Sequence, residues 1–507
     1  MCGIFAGCSP NFMSNWEKIL TCLSYRGPDG YRKGEIKTSF SSIWLLTTRL
    51  AFVGEEIFPI VSDSGDLLIA NGEIYNHSEL FSEILSRPDD TSKSDFRCIV
   101  DGYRRLRSEG YSPSDAFLSL LRAIRGDFAL ILFDQVDRLM FVARDRFGIR
   151  PLWYVEENDT SWAFASEKSS LTALGSEKDN IKRVPPGHWT QTEYTSQFHF
   201  EWSCYDQSLS ESSPPRRMEF KDINLSAKTE ELRILLEKSV FYVARNLPKG
   251  PRGRIGLFLS GGLDSSVLYA ICKKLGVDFV PFSVGFPGST DLEYARDVLY
   301  SDDTDRLVIE VLSHKGIENV LPAIISRLDN DSIMDISIAI PLFFLAKTAR
   351  AHGIGACLTG QGADELFFGY KRYDDLWRTQ TKRDQLLQTE WNDFREIGER
   401  NLERDDLIAS YHGVELRHPY LDKSLVNFVL ALPLESFFGS EGFARKRILR
   451  FLAKEIKVKE SIIDRKKTAI QYGTGVQKAL KELARKENDS LSAYLTNMRR
   501  KGEYPAR

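Results

Sequence analysis

Two apolar runs, Asp127-Phe128-Ala129-Leu130-Ile131-Leu132-Phe133-Asp134 and Arg138-Leu139-Met140-Phe141-Val142-Ala143-Arg144-Asp145, are parted by a short polar turn. That pattern predicts an antiparallel hairpin, and Trp162-Ala163-Phe164-Ala165-Ser166 is expected to extend it. Apolar residues at three-to-four spacing over 15–23 and 96–106 predict helices that cover a sheet face. Beyond residue 250 the pattern changes to short buried-strand runs at 255–259, 279–286 and 356–358, the first feeding a helix with Val267, Leu268, Ile271 and Leu275 on its apolar side. Between about 205 and 228 the chain turns polar. Ser208, Ser210, Ser212, Ser213, Pro214, Pro215, Arg216 and Arg217 build no core and read as a linker. The organisation expected is a domain over 2–204, a linker over 205–228, a second domain over 229–480 and a C-terminal tail over 481–507 whose basic end, Arg499-Arg500-Lys501, is solvated.

A chain of 507 residues exceeds one typical core, and 42% hydrophobic with 27% charged residues describes an ordinary globular protein. A net charge of -3 gives no reason to expect nucleic acid as the main partner. With no apolar run long enough for a span and no basic-then-apolar leader, neither membrane nor secretion is expected, and the cytoplasm, with the nucleus left open, follows. Seven cysteines without CxxC or zinc-like spacing fit a reducing compartment.

One cysteine invites chemistry. In Met1-Cys2-Gly3-Ile4-Phe5-Ala6-Gly7, removal of Met1 would leave a thiol and a free α-amine on one residue, a nucleophile carrying its own base. Arg26-Gly27-Pro28-Asp29-Gly30, Arg49-Leu50, Asn71-Gly72-Glu73-Ile74-Tyr75-Asn76 and Ser94-Asp95 follow in order. Taken singly they read as surface ions or turns. Together with Cys2 they resemble class II glutamine amidotransferases, the N-terminal-nucleophile (Ntn) glutaminases. Gripping a free amino acid needs a cation for its α-carboxylate, which suits Arg49, and acceptors for its α-ammonium, which suits Glu73 and Asp95. The tetrahedral oxyanion of amide hydrolysis needs fixed donors, which suits Asn71 and the Gly72 amide.

A second motif follows the linker. The strand at 255–259, ending in Leu259, enters Ser260-Gly261-Gly262-Leu263-Asp264-Ser265-Ser266 and then a helix, an arrangement that presents backbone N–H groups, hydroxyls and a helix N-terminus to an anion. It is neither a Walker A loop nor a dinucleotide fingerprint. It resembles the pyrophosphate loop of ATP pyrophosphatases. In an open α/β sheet the loops after 255–259 and 356–358 meet one crevice, so Thr359 and Gly360 are expected beside the nucleotide, with backbone groups of Val284 and Gly285 at the adenine. Asp264 and Asp364 are the candidate magnesium ligands beside the phosphates; helix capping is the plainer role for either alone.

A glutaminase joined to such a domain is similar to the glutamine-hydrolysing asparagine synthetase family, as is Gly413-Val414-Glu415-Leu416-Arg417-His418-Pro419-Tyr420-Leu421-Asp422. The resemblance implies an α/β protein of two domains. These are an N-terminal αββα Ntn-hydrolase sandwich and a C-terminal doubly wound parallel sheet of the ATP-pyrophosphatase (adenine nucleotide alpha hydrolase-like) kind. It further implies ATP and Mg2+, adenylation of a carboxylate, and attack by glutamine-derived ammonia, with Lys467 of Arg465-Lys466-Lys467 stabilising the adenylated intermediate. Its partners are small molecules, glutamine, ATP and a carboxylate acceptor, and a homodimer stays open.

Departures from that pattern bear on the acceptor. Gln361 and Asn401 stand where the family has acids, and Met334-Asp335-Ile336-Ser337-Ile338 lacks a cation for the acceptor's α-carboxylate. The loop at 301–305 loses a histidine pattern. These changes resemble the divergent asparagine synthetase domain-containing proteins. They leave two readings, an amidotransferase for which aspartate is a poor acceptor, or a glutamine- and nucleotide-binding regulatory protein with little turnover. On the first, Gln361→Glu with Asn401→Asp is expected to raise asparagine formation, and Ser337→Arg to restore affinity.

Overall fold

The computed structural model describes residues 2–502 apart from 39–40, 51–57, 87–93, 159–160, 195–198, 207–213, 246, 248–252, 301–302, 329, 331, 380–381 and 440–444. The serine run of the expected linker and Ser301-Asp302 fall outside the described residues. The chain divides into two compact units, 1–212 and 213–507.

The first unit carries strands β1 (Gly3–Cys8), β2 (Tyr31–Lys37), β3 (Ser42–Thr48), β4 (Ile60–Val61), β5 (Leu67–Ile74), β6 (Gly126–Asp134), β7 (Leu139–Arg144), β8 (Trp153–Asn158), β9 (Ser161–Ala165), β10 (Lys182–Arg183), β11 (His188–Glu193) and β12 (Ser203–Cys204). Its helices are α1 (Phe12–Leu23), α2 (His77–Leu85), α3 (Arg97–Ser108), α4 (Pro113–Ala123) and α5 (Lys168–Leu174). The strands form two sheets, ordered β10-β8-β9-β1-β3-β2 and β12-β11-β7-β6-β5-β4. Alternation along the strands sends one face of each sheet inward, where Ile4, Ala6, Ile43 and Leu45 meet Ile69, Ala129, Ile131 and Val142. The outer faces are covered by helices: α1 and α5 pack Phe12, Ile19 and Leu171 over Phe5 and Leu46, and α2 to α4 pack Leu80, Ile99 and Phe117 over Leu68 and Leu130. This is the expected αββα sandwich. The hairpin of β6 and β7 is antiparallel as read from the pattern. Trp162–Ser166 does not extend it, because β9 pairs with β8 and β1 in the opposite sheet. An apolar run gives strand propensity and says nothing of which sheet it joins.

The second unit holds α6 (Leu225–Ala244), β13 (Ile255–Phe258), α7 (Leu263–Lys274), β14 (Phe279–Gly285), α8 (Thr290–Val298), β15 (Val308–Val311), α9 (His314–Leu328), α10 (Ile333–Ala351), β16 (Ala356–Leu358), α11 (Glu403–Ser410), β17 (Glu415–Arg417), α12 (Arg447–Glu455), α13 (Val476–Lys486) and α14 (Leu491–Gly502), among shorter helices. Its five strands are parallel in the order β15-β14-β13-β16-β17. Strand order reverses between β13 and β16, so the loops leaving their carboxyl ends diverge and open a crevice there.

Two expected segment roles change. The end of the linker is anchored: Arg217 forks onto Glu390 at 2.7 and 2.6 Å with both side chains buried, and α6 begins at Leu225 rather than 229. The expected tail is helical for most of its length, and α14 presses Tyr494, Leu495 and Met498 into the core beside α9 and α10. Its apolar residues at 494, 495 and 498 carry the helical spacing that the basic end obscured.

Candidate active site

Cys2 is buried at the head of β1, where the pairing of Gly3 with Thr48 and the bond from Gly3 N to Thr48 Oγ1 at 2.9 Å fix its position. Its backbone nitrogen donates to Asn71 Oδ1 at 3.1 Å. That contact sets the amide's orientation, and among the described residues Asn71 Nδ2 is a buried donor without a partner. A buried, unpartnered amide donor beside a thiol suits an anionic oxygen developing there. Gly72 has φ +139°, and a Cβ there would lie 1.9 Å from Asp127 O, so only glycine lets β5 approach β6 this closely.

Arg49 is held by backbone: Asp29 N donates to Arg49 O at 3.0 Å and Arg49 N to Gly30 O at 2.9 Å, so the Gly-Pro-Asp-Gly turn serves as its cradle. Glu73 and Asp95 are both buried, and Asp95 Oδ2 accepts from Ile74 N at 2.6 Å. Burial pushes the Asp95 carboxyl up against the pull of Ile74 N and His77. The Cys2 thiol is likewise pushed up by burial, opposed by the Leu50 backbone and Arg49. Asn71, Arg49 and Asp95 thus act on Cys2 within one unit, and Gly72 and Glu73 follow Asn71 on β5.

In the second unit a cavity of about 280 Å³ opens at the switch point. Leu259, Ser260, Gly262, Asp264, Ser265, Val284, Thr359, Gly360, Asp364 and Lys467 line it. Gly261 and Ser266 do not: Gly261 packs on the Tyr294 backbone, and the Ser266 hydroxyl donates to Gly262 O at 2.8 Å. Gly285 is also outside the wall, and its carbonyl accepts from Leu312 N. The Gly413–Asp422 motif acts from behind, Tyr420 Oη donating to Asp264 O at 3.0 Å and His418 Nδ1 lying 2.8 Å from Thr359 Oγ1.

Neither aspartate caps a helix by its side chain. Lys446 Nζ lies 2.7 Å from Asp264 Oδ1 and 2.6 Å from Asp364 Oδ1, and Lys467 Nζ lies 2.5 Å from Asp364 Oδ2. Lys467 belongs to a stretch without helix, not to a basic helix end. Burial works against the Asp364 charge, but the two ammonium groups outweigh it and hold the carboxyl well below its usual range. The two carboxylates converge on one cation, Lys446, and two hard oxygen donors beside phosphates are the set a magnesium ion takes from protein. The donor set therefore fits that ion. Among the described residues no cluster of three acidic, histidine or cysteine side chains exists for a self-sufficient metal site.

Sequence reasoning missed Lys446, whose Arg445-Lys446-Arg447 run reads as a solvated helix start, and the acids that face the two amides. Gln361 Nε2 donates to Asp405 Oδ2, and Asn401 Nδ2 donates to Glu365 Oε1 at 3.0 Å. Each amide is thus the donor its acidic neighbour requires. Glu365 also accepts from Tyr370 Oη at 2.5 Å, and burial with the Asp364 charge raises its carboxyl to about 7. Consequently Gln361→Glu and Asn401→Asp would set carboxylate against carboxylate, and the expected gain in asparagine formation does not follow. Ser337 is wholly buried with its hydroxyl on Met334 O at 2.9 Å, so Ser337→Arg would bury a guanidinium rather than restore a clamp.

Comparison with known proteins covers both units. Residues 1–202 match the glutamine amidotransferase domain model, and 251–392 with 379–501 match that of asparagine synthase. A Schizosaccharomyces pombe protein described as a probable glutamine-hydrolysing asparagine synthetase is 30% identical over 84% of this chain and 74% of its own. The chain belongs to the glutamine-hydrolysing asparagine synthetase family. Other relatives of this synthetase-like protein include a Methanocaldococcus jannaschii chain provisionally named glutamine-hydrolysing asparagine synthetase 1, 29% identical over 90% of this chain and 87% of its own. Another is asparagine synthetase B of Escherichia coli, 28% identical over 82% and 72%. It is an asparagine synthetase-like, glutamine-dependent amidotransferase.

Proposed function

We propose that this amidotransferase releases ammonia from glutamine at Cys2 and uses ATP in its second unit to amidate a carboxylate. The observation that carries the reading is the Cys2–Asn71 pair, a buried thiol whose backbone nitrogen orients an amide and leaves Nδ2 as a buried donor. With Met1 removed, the Cys2 amine takes the thiol proton. The sulfur attacks the glutamine side-chain carbon, and the oxyanion is met by Asn71 Nδ2 and the Gly72 N–H. The C–N bond breaks, ammonia departs with the proton, and water hydrolyses the thioester to glutamate. Arg49 binds the α-carboxylate, with Glu73 and Asp95 at the α-ammonium.

In the second unit Ser260, Gly262, Ser265 and Thr359 surround the phosphates, with Val284 and Leu259 at the base. Asp264 and Asp364 would hold magnesium, which when bound offsets phosphate charge. An acceptor carboxylate oxygen attacks the α-phosphorus, and the bond to the bridging oxygen breaks so that pyrophosphate leaves. Ammonia then attacks the acyl carbon, AMP departs and the nitrogen sheds a proton. Burial opposes the Lys467 charge, but Asp364 and Asp264 hold it above the usual lysine range, so it stays a cation facing the leaving groups. Seven cysteines without CxxC or zinc-like spacing suit a reducing compartment such as the cytoplasm.

The test is the full chain with glutamine, ATP, magnesium and a panel of carboxylic acids, aspartate first because the relatives carry its product's name. Acid-dependent formation of AMP and pyrophosphate, with glutamate released in step, supports the reading. Nucleotide binding without turnover for any acid would favour the regulatory one.

A further inference from the structure

The acceptor end of the cavity is built from Ile338, Gln361, Tyr370, Asn401, Arg404 and Asp405. Its only strong cation among the described residues is Arg404, and that cation is already engaged. Arg404 bonds Asp405 Oδ1 at 2.9 Å and Asp335 Oδ1 at 3.1 Å, with the guanidinium and Asp405 both buried. One positive charge thus faces two negative ones, and Glu365 lies directly behind Tyr370 and Asn401. Three other cations of the wall are engaged, Lys446 and Lys467 with Asp264 and Asp364 and Arg465 with Asp291 at 2.5 Å, and Arg450 and Lys466 complete its positive side.

A dicarboxylic acid without an amine brings a second carboxylate, and no cation, into this end. It would have to displace Asp405 or Asp335 from Arg404, leaving a buried carboxylate without its partner, or lie beside them with like charges in contact. A positively charged group meets the opposite situation. Asp405 Oδ1 is engaged by Arg404 Nε and Nη2, each at 2.9 Å, while Oδ2 accepts from Gln361 and has room for a second donor.

We propose that the acceptor is a monocarboxylic acid whose far end carries an ammonium or guanidinium group, selected by the Asp405–Arg404–Asp335 cluster with Gln361 as its positioning donor. This deepens the amidotransferase reading and rests on it. The amidated product is then the primary amide of a cationic acid, formed by the bond changes already given, with no further reactant.

The test is carboxylate-dependent exchange between ATP and labelled pyrophosphate by the full chain with magnesium at pH 7.5, which needs no ammonia. Acids of matched length are compared: β-alanine, 4-aminobutyrate and 5-aminovalerate as cationic ends, propionate, butyrate and valerate as neutral ends, succinate and glutarate as anionic ends. The cationic series is expected to exceed the anionic one by at least roughly tenfold, the scale of one charge-assisted hydrogen bond. Asp405→Asn, which keeps the shape and removes the charge, is expected to shrink that ratio toward one. Fastest exchange with an anionic-ended acid, or a ratio unchanged in Asp405→Asn, overturns the inference while leaving the amidotransferase reading intact. Absence of exchange with every acid, in protein that still releases glutamate from glutamine, overturns the reading for the second unit and this inference with it.

Discussion

The Cys2 site and the nucleotide cavity are assembled by different forces. Cys2 and Asn71 stand on strands whose register fixes them, β1 against β3 and β5 against β6, so their meeting follows from backbone pairing. Asp264, Asp364, Lys446 and Lys467 come from loops and helix starts spread over about two hundred residues, and charge brings them together. Strand register is set by many hydrogen bonds and tolerates loss of one side chain. An ion cluster responds to each member, because removing one leaves a buried charge uncompensated. The first site should lose chemistry without losing structure, and the second should couple the two.

Cys2→Ala gives the sharpest break. Glutaminase activity of Met1-processed protein is expected to fall to background, at least roughly 10³-fold, while the thermal transition stays unchanged. Pyrophosphate exchange, and synthesis with ammonia supplied directly, should persist in the second unit. Unchanged glutamate release would remove Cys2 from the chemistry.

Gly72→Ala tests the opposite limit, where the sheet itself is disturbed. A Cβ 1.9 Å from Asp127 O at φ +139° combines backbone strain with steric overlap. A loss of roughly 3–5 kcal/mol is expected, read as an early transition of the first unit. A Tm equal to the parent's would show that β5 and β6 can part locally and that register is a weaker constraint than argued.

Legibility divides along the same line. The β6–β7 hairpin, the strand runs of the second unit and both glycine motifs were readable because alternation, turn residues and short spacings are local properties of the chain, whereas the sandwich and the doubly wound sheet followed from the family resemblance those motifs carry. Cys2, Asn71, Gly72, Asp264 and Thr359 belong to such local strings. Lys446, Asp405 and Glu365 were not readable as site residues, since the groups that tie them to the cavity, Asp264 for Lys446, Gln361 for Asp405 and Asn401 for Glu365, lie 182, 44 and 36 residues away. Gln361 and Asn401 looked like losses until their acidic neighbours were visible. The placement of β9 and the docking of α14 are long-range packing outcomes that no window of sequence contains.

Gly369→Ala probes the ion cluster with no charge removed. A Cβ there would lie 1.9 Å from Asp364 Oδ1 and 2.4 Å from Lys446 Cε, so the pair must shift. Pyrophosphate exchange is expected to fall roughly a hundredfold, as misplacement of such groups by about an ångström does, with glutamine hydrolysis untouched. Exchange at the parent rate would mean that Asp364 and Lys446 do not need this spacing to act.

The smallest effect separates the cavity's charges by pH. Glu365 is buried beside Asp364, and burial first, then that neighbouring charge, raises its carboxyl from 4.5 to about 7. Between those values the folded chain holds a proton that the unfolded chain has released. Stability from this group is therefore complete below about pH 4.5 and is lost as pH rises through about 7, with a slope near 1.4 kcal/mol per pH unit. Across about pH 5 to 6.5 the second unit should lose about 2 kcal/mol on this account. Asp364 has the opposite sign and a separate window, because its depressed carboxyl weakens the fold only as pH drops below the usual aspartate range. Glu365→Gln keeps an oxygen for Tyr370 Oη and Asn401 Nδ2 and removes the titration. The difference in unfolding free energy between parent and variant, from denaturant titrations across that window, should carry the slope. A flat difference would place the Glu365 proton elsewhere, and the two amides would then owe their identity to packing rather than to the acids they face.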